Sequence, residues 1–334
     1  MKTYIYYDSG TTNSRIYLVR DGRVLDWEKK NVGTVNNVLS GKRDTLALAL
    51  LEMYRDLLTK NGLEERDIDE IFMSGMATSK NGVCETDYVC VPLDLADYCQ
   101  SITFQENEIF GRRIGLLTGL IYRPEAPEDQ DGGAHFHNVR GEEIELFGIM
   151  EQYPQYFKGK RTATIMPGSH THILFTDNRK ITGILSCMGG ELFAAVSRNT
   201  ILSASVSENP ENPDAAMMEA MNRGCDVVQK YGFNRALYMV RTMDLFTGAS
   251  QGERDFFLEG AVNAGIITGL LSSGHLEELD QICVAGKRVY YDIFSSLLKH
   301  QGVGLPCMPL EQGEESFALR GFLELIKERE GRSQ

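Results

Sequence analysis

The stretch YIYYDSGTTNSRIYLVRDG, residues 4–22, decides the fold. Two short apolar runs flank a polar turn at residues 8–13, and Asp21 and Gly22 follow the second run. An Asp-Gly pair between apolar runs is typical of a tight hairpin turn. The chain up to Lys29 therefore predicts a three-stranded antiparallel meander.

A helix and a further strand follow this meander. The apolar residues between Asp44 and Lys60 form one broad helical stripe, which Asn61 and Gly62 end. Residues 68–73 have the apolar pattern of a strand. The predicted order of the first region is β-β-β-α-β.

The same pattern recurs from about residue 161. Three more strands are predicted at residues 162–166, 173–175 and 181–187, with a turn at Pro167-Gly168-Ser169-His170. Later segments predict helices at 215–230, 254–271, 289–300 and 316–327 and a strand at 281–285. A duplicated α/β domain explains this repeat most economically, although hairpins are common enough to resemble one another by chance. We place the boundary in the loop 122–136, rich in Pro, Gly and acidic residues, which predicts domains 1–135 and 136–334.

Composition excludes several classes of function. The 334 residues include 34 Lys+Arg and 47 Asp+Glu, a net charge of −13. This balance argues against binding to nucleic acid or to an anionic membrane surface. The N-terminus has no signal-peptide core and no run of about 18 apolar residues occurs, which predicts a cytoplasmic protein. The seven cysteines form no C-x-x-C pair and indicate reduced thiols. The sequence leaves open whether the protein forms a homodimer.

The first polar turn has the residues of an anion site. Gly10 would permit a positive φ, so that the following backbone N–H groups and hydroxyls converge on an anion. Asp8, at the end of the preceding strand, could hold Mg²⁺ directly or through water. An Asx- or Ser/Thr-stabilised turn is the alternative interpretation.

Two further glycine turns could also contact phosphate. The turn at residues 167–171 has small residues like the first, and two such tips facing each other across a cleft could clamp a polyphosphate. Gly286, within 284–287, lies where a strand passes into a helix, so a ligand could approach the helix N-terminus. Any α/β protein has several such junctions, so this last signal is weak alone.

Glu142 and Glu143 follow Arg140 and Gly141 at the predicted start of a helix. Carboxylates are favourable beside the positive end of a helix, which explains both residues structurally. The functional alternative is that one of them is the base that orients or deprotonates an attacking hydroxyl.

Histidine and cysteine motifs are less informative. Two His-x-His pairs, His135/His137 and His170/His172, have no further metal ligand at a useful spacing. Cys187 lies beside a glycine pair but has no histidine signature around it, so we interpret it as a buried packing residue.

Taken together, these motifs resemble the 2-dehydro-3-deoxygalactonokinase family of the actin-like ATPase superfamily. The resemblance runs in order from residue 4 to about residue 325 and rests on D-x-G-x-T-N-x-R at 8–15, R-G-E-E at 140–143, M-P-G-S-H at 166–170 and G-E-L at 190–192. It implies duplicated actin-like ATPase (ribonuclease H-like) domains with a central nucleotide cleft. It also implies transfer of phosphate from ATP, with Mg²⁺, to the 6-hydroxyl of 2-dehydro-3-deoxy-D-galactonate.

The resemblance also implies roles for individual residues. Its nucleotide-binding positions are Gly10, Thr11, Thr12, Asn13, Gly168, Ser169, His170, Thr171, Gly286 and Lys287. The Glu142-Glu143 pair also resembles the catalytic pair of exopolyphosphatases, which favours Glu142 as the base, with Asp8 as the metal ligand. Arg15 or Arg140 is expected to pair with the substrate carboxylate.

Three functions stay open from the sequence. A kinase would release ADP only with a sugar acid, whereas a polyphosphatase-like hydrolase would release phosphate without one. A non-catalytic scaffold would bind ATP without turnover, and the acidic residues at 8 and 142–143 count against it. A kinase acting on an epimeric 2-dehydro-3-deoxy sugar acid also stays open.

Overall fold

The computed structural model describes residues 2–123, 135–207 and 212–331, and within them the chain forms two units. The first unit contains the part up to Lys158, the segment Arg179–Gly183 and the part from Gly313 onward. The second contains Gly159–Asn178 and Ile184–Gln312. Most of the predicted loop 122–136 lies outside the described residues.

Both units contain strands and helices, and each has a run of three consecutive strands. The strands are β1 (Thr3–Ser9), β2 (Ser14–Arg20), β3 (Arg23–Lys30), β4 (Glu70–Gly75), β5 (Val89–Cys90), β6 (Thr103–Asn107), β7 (Arg112–Leu116), β8 (Leu120–Tyr122), β9 (His137–Val139), β10 (Arg161–Met166), β11 (His170–Asp177), β12 (Lys180–Met188), β13 (Gln281–Ala285) and β14 (Cys307–Leu310). The α-helices are α1 (Thr34–Ser40), α2 (Thr45–Asn61), α3 (Leu95–Gln100), α4 (Glu142–Gln152), α5 (Gly190–Asn199), α6 (Ala215–Tyr231), α7 (Phe233–Phe246), α8 (Gln251–Ser272), α9 (Arg288–His300) and α10 (Phe317–Gly331).

The main sheet of the first unit has the order β3-β2-β1-β4-β7-β6. The strands β1, β2 and β3 are antiparallel neighbours, and β4 joins β1 in parallel after the crossover through α2. This confirms the predicted meander and the helix and strand expected after it, although the short helix α1, which was not predicted, precedes α2. A separate small sheet, β5-β8-β9, was not predicted because its strands are only two or three residues long.

Both faces of the central strand β1 are buried. Ile5 and Tyr7 of β1 belong to the core beneath α2, whereas the alternate residue Tyr6 stacks on Phe322 of α10 with ring centroids 4.2 Å apart. Successive side chains of a strand point to opposite faces, so Asp8 leaves the sheet on the same side as Tyr6.

The second sheet repeats the first. Its order is β12-β11-β10-β13-β14, in which β10 and β11 are antiparallel and β10 and β13 are parallel. In each sheet the three meander strands are therefore followed by two parallel strands, β4 and β7 in the first sheet and β13 and β14 in the second. This duplication confirms the mixed α/β architecture of the actin-like ATPase fold.

Glycines allow close helix crossings in each unit. A side chain at Gly148 of α4 would place its Cβ 2.0 Å from the Phe317 carbonyl oxygen, and one at Gly321 of α10 would lie 1.9 Å from the Ile144 carbonyl oxygen. Gly224 of α6 and Gly260 of α8 make the equivalent approach in the second unit, at 2.1 and 1.8 Å from carbonyl oxygens. At each crossing the backbones touch where a larger residue could not fit.

The division of the chain differs from the predicted boundary at residue 135. Helix α4 and the C-terminal helix α10 both belong to the first unit, because their glycine crossing packs them together. A contact between residues 148 and 321 leaves no signal in local periodicity, so the sequence alone could not place α10.

Two further findings concern thiols and membranes. All seven cysteines are free. Within the described ranges, every helix is either too short or too polar to cross a membrane.

Candidate functional site

Three chain segments converge at one edge of the first sheet. Parallel strands β1 and β4 end together there, with Ser9 aligned to Gly75. Gly75 has φ +66°, and a Cβ on it would lie 2.5 Å from the Ser9 carbonyl oxygen. A Cβ on Gly141, just before α4, would lie 3.3 Å from the Gly75 Cα. The ends of β1 and β4 and the start of α4 therefore form a single edge, which we call the acidic edge because Asp8, Glu142 and Glu145 lie on it.

Asp8 lies at the end of β1 with a cation beside it. Its Oδ2 accepts a hydrogen bond from Arg15 Nη1 at 3.0 Å, across the β1–β2 hairpin where the two residues are directly paired. Burial raises the pKa of Asp8, and the Arg15 guanidinium opposes that rise. Glu142 raises it further, which places the α4 start within electrostatic reach of Asp8.

The turn between β1 and β2 differs from the prediction in its backbone. Gly10 does not have a positive φ; its N–H instead donates to the Asn13 carbonyl oxygen at 2.8 Å, which closes the turn. The positive φ angles at this edge occur at Gly75 and Gly141. Thr11 and Thr12 are exposed, and the Asn13 side chain donates to Thr12 Oγ1. The turn thus presents two hydroxyls on a closed backbone loop.

The structure distinguishes the two adjacent glutamates. Glu143 is completely buried, and its Oε2 accepts the Gly141 N–H at 2.7 Å while its Oε1 has no hydrogen-bond partner. Burial, and secondarily Glu142, raise the pKa of Glu143 to about 8. Glu142 is partly exposed, and its Oε2 accepts the Arg140 N–H at 3.1 Å. Only Glu142 of the pair can reach a bound molecule.

Glu145 is a further member of the acidic edge that sequence reasoning missed. It lies one helical turn after Glu142, so both side chains share a face of α4. Burial, then the nearby Asp8 and Glu142 carboxylates, raise its pKa to about 8. The signal available in the sequence was the spacing of three residues between Glu142 and Glu145, which places both on one face of a helix.

Protein groups hold the two terminal nitrogens of the Arg140 guanidinium, whereas its buried Nε has no hydrogen-bond partner among the described residues. Its Nη1 donates to the Thr78 carbonyl oxygen and hydroxyl and to the Thr86 hydroxyl, at 2.7 to 2.8 Å, and its Nη2 donates to the Thr86 carbonyl oxygen at 3.0 Å. Its guanidinium also lies over the Tyr88 ring, 4.2 Å from the centroid. With Arg15 bound to Asp8, both arginines expected to bind substrate already have partners in the first unit.

The donor chemistry of the acidic edge fits a hard divalent cation. Glu142 raises the pKa values of Asp8 and Glu145, and Asp8 also raises that of Glu145, so a cation beside these carboxylates would relieve their repulsion. Among the described residues, no group of three or more His, Cys, Asp or Glu side chains is arranged to hold a metal ion by itself. An ion here would take one or two carboxylates and complete its shell from phosphate and water, which is the usual habit of Mg²⁺.

The second unit places its predicted turn against a pair of glycines. The N–H groups of Gly190 and Glu191 donate to the carbonyl oxygens of Gly168 and Ser169 at 3.1 and 2.8 Å. A Cβ on Gly189 would lie 2.3 Å from Thr171 Oγ1. His170 Nε2 is 3.1 Å from a Glu191 carboxylate oxygen. The start of α5 therefore fixes the shape of the 167–171 turn.

A cavity of about 380 Å³ lies beside this turn within the second unit. Gly168, Thr171 and Lys287 line it, so it joins two of the predicted nucleotide-binding segments. Gly286, at the junction of β13 with α9, has φ +107°, a backbone conformation that favours glycine. Apolar side chains from α5, α8 and α9 complete the wall: Phe193, Ala194, Phe256, Val262, Val289, Ile293 and Phe294.

Two polar residues in this cavity were not predicted. Asn263 donates through Nδ2 to the Glu259 carboxylate at 2.9 Å, one turn apart on α8. Burial raises the pKa of Glu259 to about 7. They lie within a long buried helix, and only the tertiary structure shows that this part of α8 faces a cavity.

The surroundings of His172 and Cys187 indicate packing roles rather than catalytic ones. His172 is buried, with its Nδ1 3.1 Å from Ser186 Oγ. Burial raises the pKa of Cys187, which disfavours the reactive thiolate. Neither residue belongs to a metal cluster within the described chain.

Comparison with known proteins gives matches across the chain. A family model described as 2-keto-3-deoxy-galactonokinase matches residues 8–324. A probable 2-dehydro-3-deoxygalactonokinase of Rhizobium meliloti (strain 1021) is 25% identical over 323 residues, which are 93% of this chain and 95% of that protein. A crystal structure of a protein assigned as a 2-dehydro-3-deoxygalactonokinase, from Sinorhizobium meliloti, has 21% identity and a TM-score of 0.74 and covers 99% of both chains, which supports the fold. Because the family model spans nearly the whole sequence, this chain belongs to the 2-keto-3-deoxy-galactonokinase family.

Proposed function

We propose that this protein transfers the γ-phosphate of ATP to the 6-hydroxyl of 2-dehydro-3-deoxy-D-galactonate, in cytoplasmic galactonate catabolism. The observation that carries the proposal is the acidic edge of the first unit, where Asp8 and Glu142 meet at the ends of two parallel strands in a member of this kinase family. Phosphoryl transfer requires positioning and charge stabilisation more than covalent chemistry, and these residues are suited to both.

Glu142 is the proposed base. Its carboxylate is partly exposed and bonded to the Arg140 N–H, so it can accept the proton of the 6-hydroxyl as that oxygen attacks the γ-phosphorus and ADP departs. Glu143 is excluded from contact by its burial, and its role is to hold the Gly141 N–H at the start of α4.

Asp8 is the proposed ligand of Mg²⁺, which would neutralise charge on the phosphoryl oxygens. Arg15 holds the Asp8 carboxylate in place through the 3.0 Å ion pair. Thr11, Thr12 and Asn13, in the turn that follows, would donate hydrogen bonds to phosphate oxygens.

The cavity of the second unit is the proposed nucleoside site. Its apolar wall suits an aromatic base, and the Gly168–Thr171 turn beside it suits phosphate. Glu259 and Asn263 supply the polar contacts that such a pocket needs to recognise hydroxyl or amino groups.

An ADP-release assay over a panel of 2-dehydro-3-deoxy sugar acids tests the proposal. ADP formation should depend on the sugar acid and be fastest with the galactonate-derived compound, compared with its gluconate-derived epimer. Release of inorganic phosphate from ATP or polyphosphate without any sugar would favour a hydrolase instead, and ATP binding without turnover would favour a scaffold.

A further inference from the structure

We propose that a second pocket in the first unit binds the carboxylate end of the sugar acid, with Lys80 and Arg43 as its cations. This inference rests on the proposed kinase function and names the residues that would recognise its acceptor. The pocket has a volume of about 400 Å³. One wall is the loop 79–85, and the other is the segment 37–44, which comprises the C-terminal half of α1 and the connection to α2. We call it the cationic pocket.

The two walls of the cationic pocket begin at the acidic edge. The loop 79–85 follows Gly75 by only four residues, through the one-turn 3₁₀ helix Met76–Thr78. Helix α1 starts against the phosphate turn, where the Val35 N–H donates to the Thr11 carbonyl oxygen at 3.0 Å. Seven helical residues rise about 10 Å, which is the scale of a six-carbon acid with a hydrogen bond at each end. The pocket therefore lies at a suitable distance for the far end of the acceptor.

The charges of the cationic pocket suit a polyhydroxy carboxylate. Within the part of the chain that the structure describes, Lys80 and Arg43 form no ion pair, although the protein has a net charge of −13. Asp44 and Glu85 also line the pocket, and their carboxylates can accept hydrogen bonds from sugar hydroxyls. Two cations and two carboxylates balance one another, so the lining suits an acid with a single charge better than a polyphosphate. A ligand with one carboxylate and several hydroxyls matches this mixture.

The pocket walls are fixed in place before any ligand binds. The Asn37 side chain is buried and joins them, since its Nδ2 donates to the Asn81 carbonyl oxygen at 2.8 Å and its Oδ1 accepts the Leu46 N–H at 2.7 Å. Arg140 anchors the loop from below through Thr78 and Thr86. Such preorganisation lowers the entropic cost of binding. Arg140 is thus a positioning residue for the loop that carries Lys80, rather than the carboxylate ligand itself.

The test measures how Lys80 affects recognition of the acid. In Lys80→Met, the KM for the sugar acid should rise roughly 10- to 100-fold, because a charge-assisted hydrogen bond is lost, while the KM for ATP is unchanged. Lys80→Arg should restore most of the affinity, and Arg43→Met should resemble Lys80→Met with a smaller effect. The matched control is Lys42→Met, a neighbouring lysine outside the pocket lining, which should behave as the unaltered protein.

The uncharged amide of the same sugar acid separates charge from shape. The unaltered protein should prefer the acid to the amide, and Lys80→Met should lose this preference by weakening only the acid. If the acid is phosphorylated with the same KM by the unaltered protein, by Lys80→Met and by Arg43→Met, the cationic pocket is overturned and the kinase function stands. If no form of the protein phosphorylates the acid, calorimetry measures binding of the acid directly. Weaker binding by Lys80→Met than by the unaltered protein would then support the pocket and contradict the kinase function. No binding by the unaltered protein would overturn the pocket.

Discussion

The two hairpin turns of this molecule have the same place in the same topology but different chemical surroundings. The β1–β2 turn lies beside Asp8, Glu142 and Glu145, and the neighbouring carboxylates raise the pKa values of Asp8 and Glu145. The β10–β11 turn lies beside Gly189 and Gly190 and an apolar cavity. A duplicated fold thus sets where the two turns emerge, and the neighbouring helix start sets their chemical surroundings. Under the proposed function, the first turn serves the acid–base chemistry and the second binds the nucleotide.

The largest expected effect comes from the acidic turn. Replacing Glu142 with Gln keeps the hydrogen-bonding shape but removes the base, so kcat should fall on the order of 10²–10⁴-fold with the KM for ATP retained. Steady-state kinetics on Glu143→Gln provide the control, because that buried side chain should have little effect on kcat. If Glu143→Gln proves the more damaging of the two, the assignment of roles within the pair is wrong.

Loss of the Asp8 charge should have the next largest effect. Asp8→Asn should lower kcat roughly 100-fold and raise the Mg²⁺ concentration needed for half-maximal rate, because an amide keeps the size of the carboxylate without its charge. Asp21→Asn, at the opposite end of the same hairpin, is the matched control. An unchanged Mg²⁺ titration in Asp8→Asn would remove this residue from the metal site.

A substitution at the glycine-lined turn 167–171 should change the KM for ATP alone. A Cβ on Gly190 would lie 2.6 Å from the Gly168 carbonyl oxygen, so Gly190→Ala must displace the 167–171 turn. We expect the KM for ATP to rise about tenfold with the KM for the sugar acid unchanged, by analogy with other losses of a few hydrogen bonds. Gly265→Ala on α8, where a Cβ has open space, is the control. An effect on the sugar acid alone would reverse the proposed division between the turns.

The smallest effect concerns the pH dependence of stability. The pKa of Glu143 is raised from its ordinary 4.5 to about 8, so its folded form favours the proton. The stabilisation it provides is fully present below pH 4.5 and is lost as the pH rises through 8. Thermal unfolding at several pH values should show a smaller decline in Tm for Glu143→Gln than for the unaltered protein. Part of the decline should remain in Glu143→Gln, because Glu145 titrates in the same range. If Tm falls with pH equally steeply in Glu143→Gln and in the unaltered protein, Glu143 is ionised at neutral pH.

The sequence predicted the two meanders because alternating apolar residues and turn pairs are local signals. It predicted the Asp8 and Glu142 candidates for the same reason, since each lies at the end of a recognisable element. Local pattern could not separate Glu142 from Glu143, and only the family resemblance favoured Glu142. Adjacent helical residues point in different directions, and packing shows which of the two is buried. The partners of Arg140, at Thr78 and Thr86, are more than fifty residues away in the sequence, so its anchoring role was not visible either.

Nuclear magnetic resonance of the reaction products tests the central claim most directly. With ATP, Mg²⁺ and 2-dehydro-3-deoxy-D-galactonate, the ³¹P spectrum should show a phosphomonoester coupled to the protons on C6, formed in equal amount to ADP. Inorganic phosphate formed with ADP in place of that phosphomonoester, or a phosphoester on another carbon, would contradict the account.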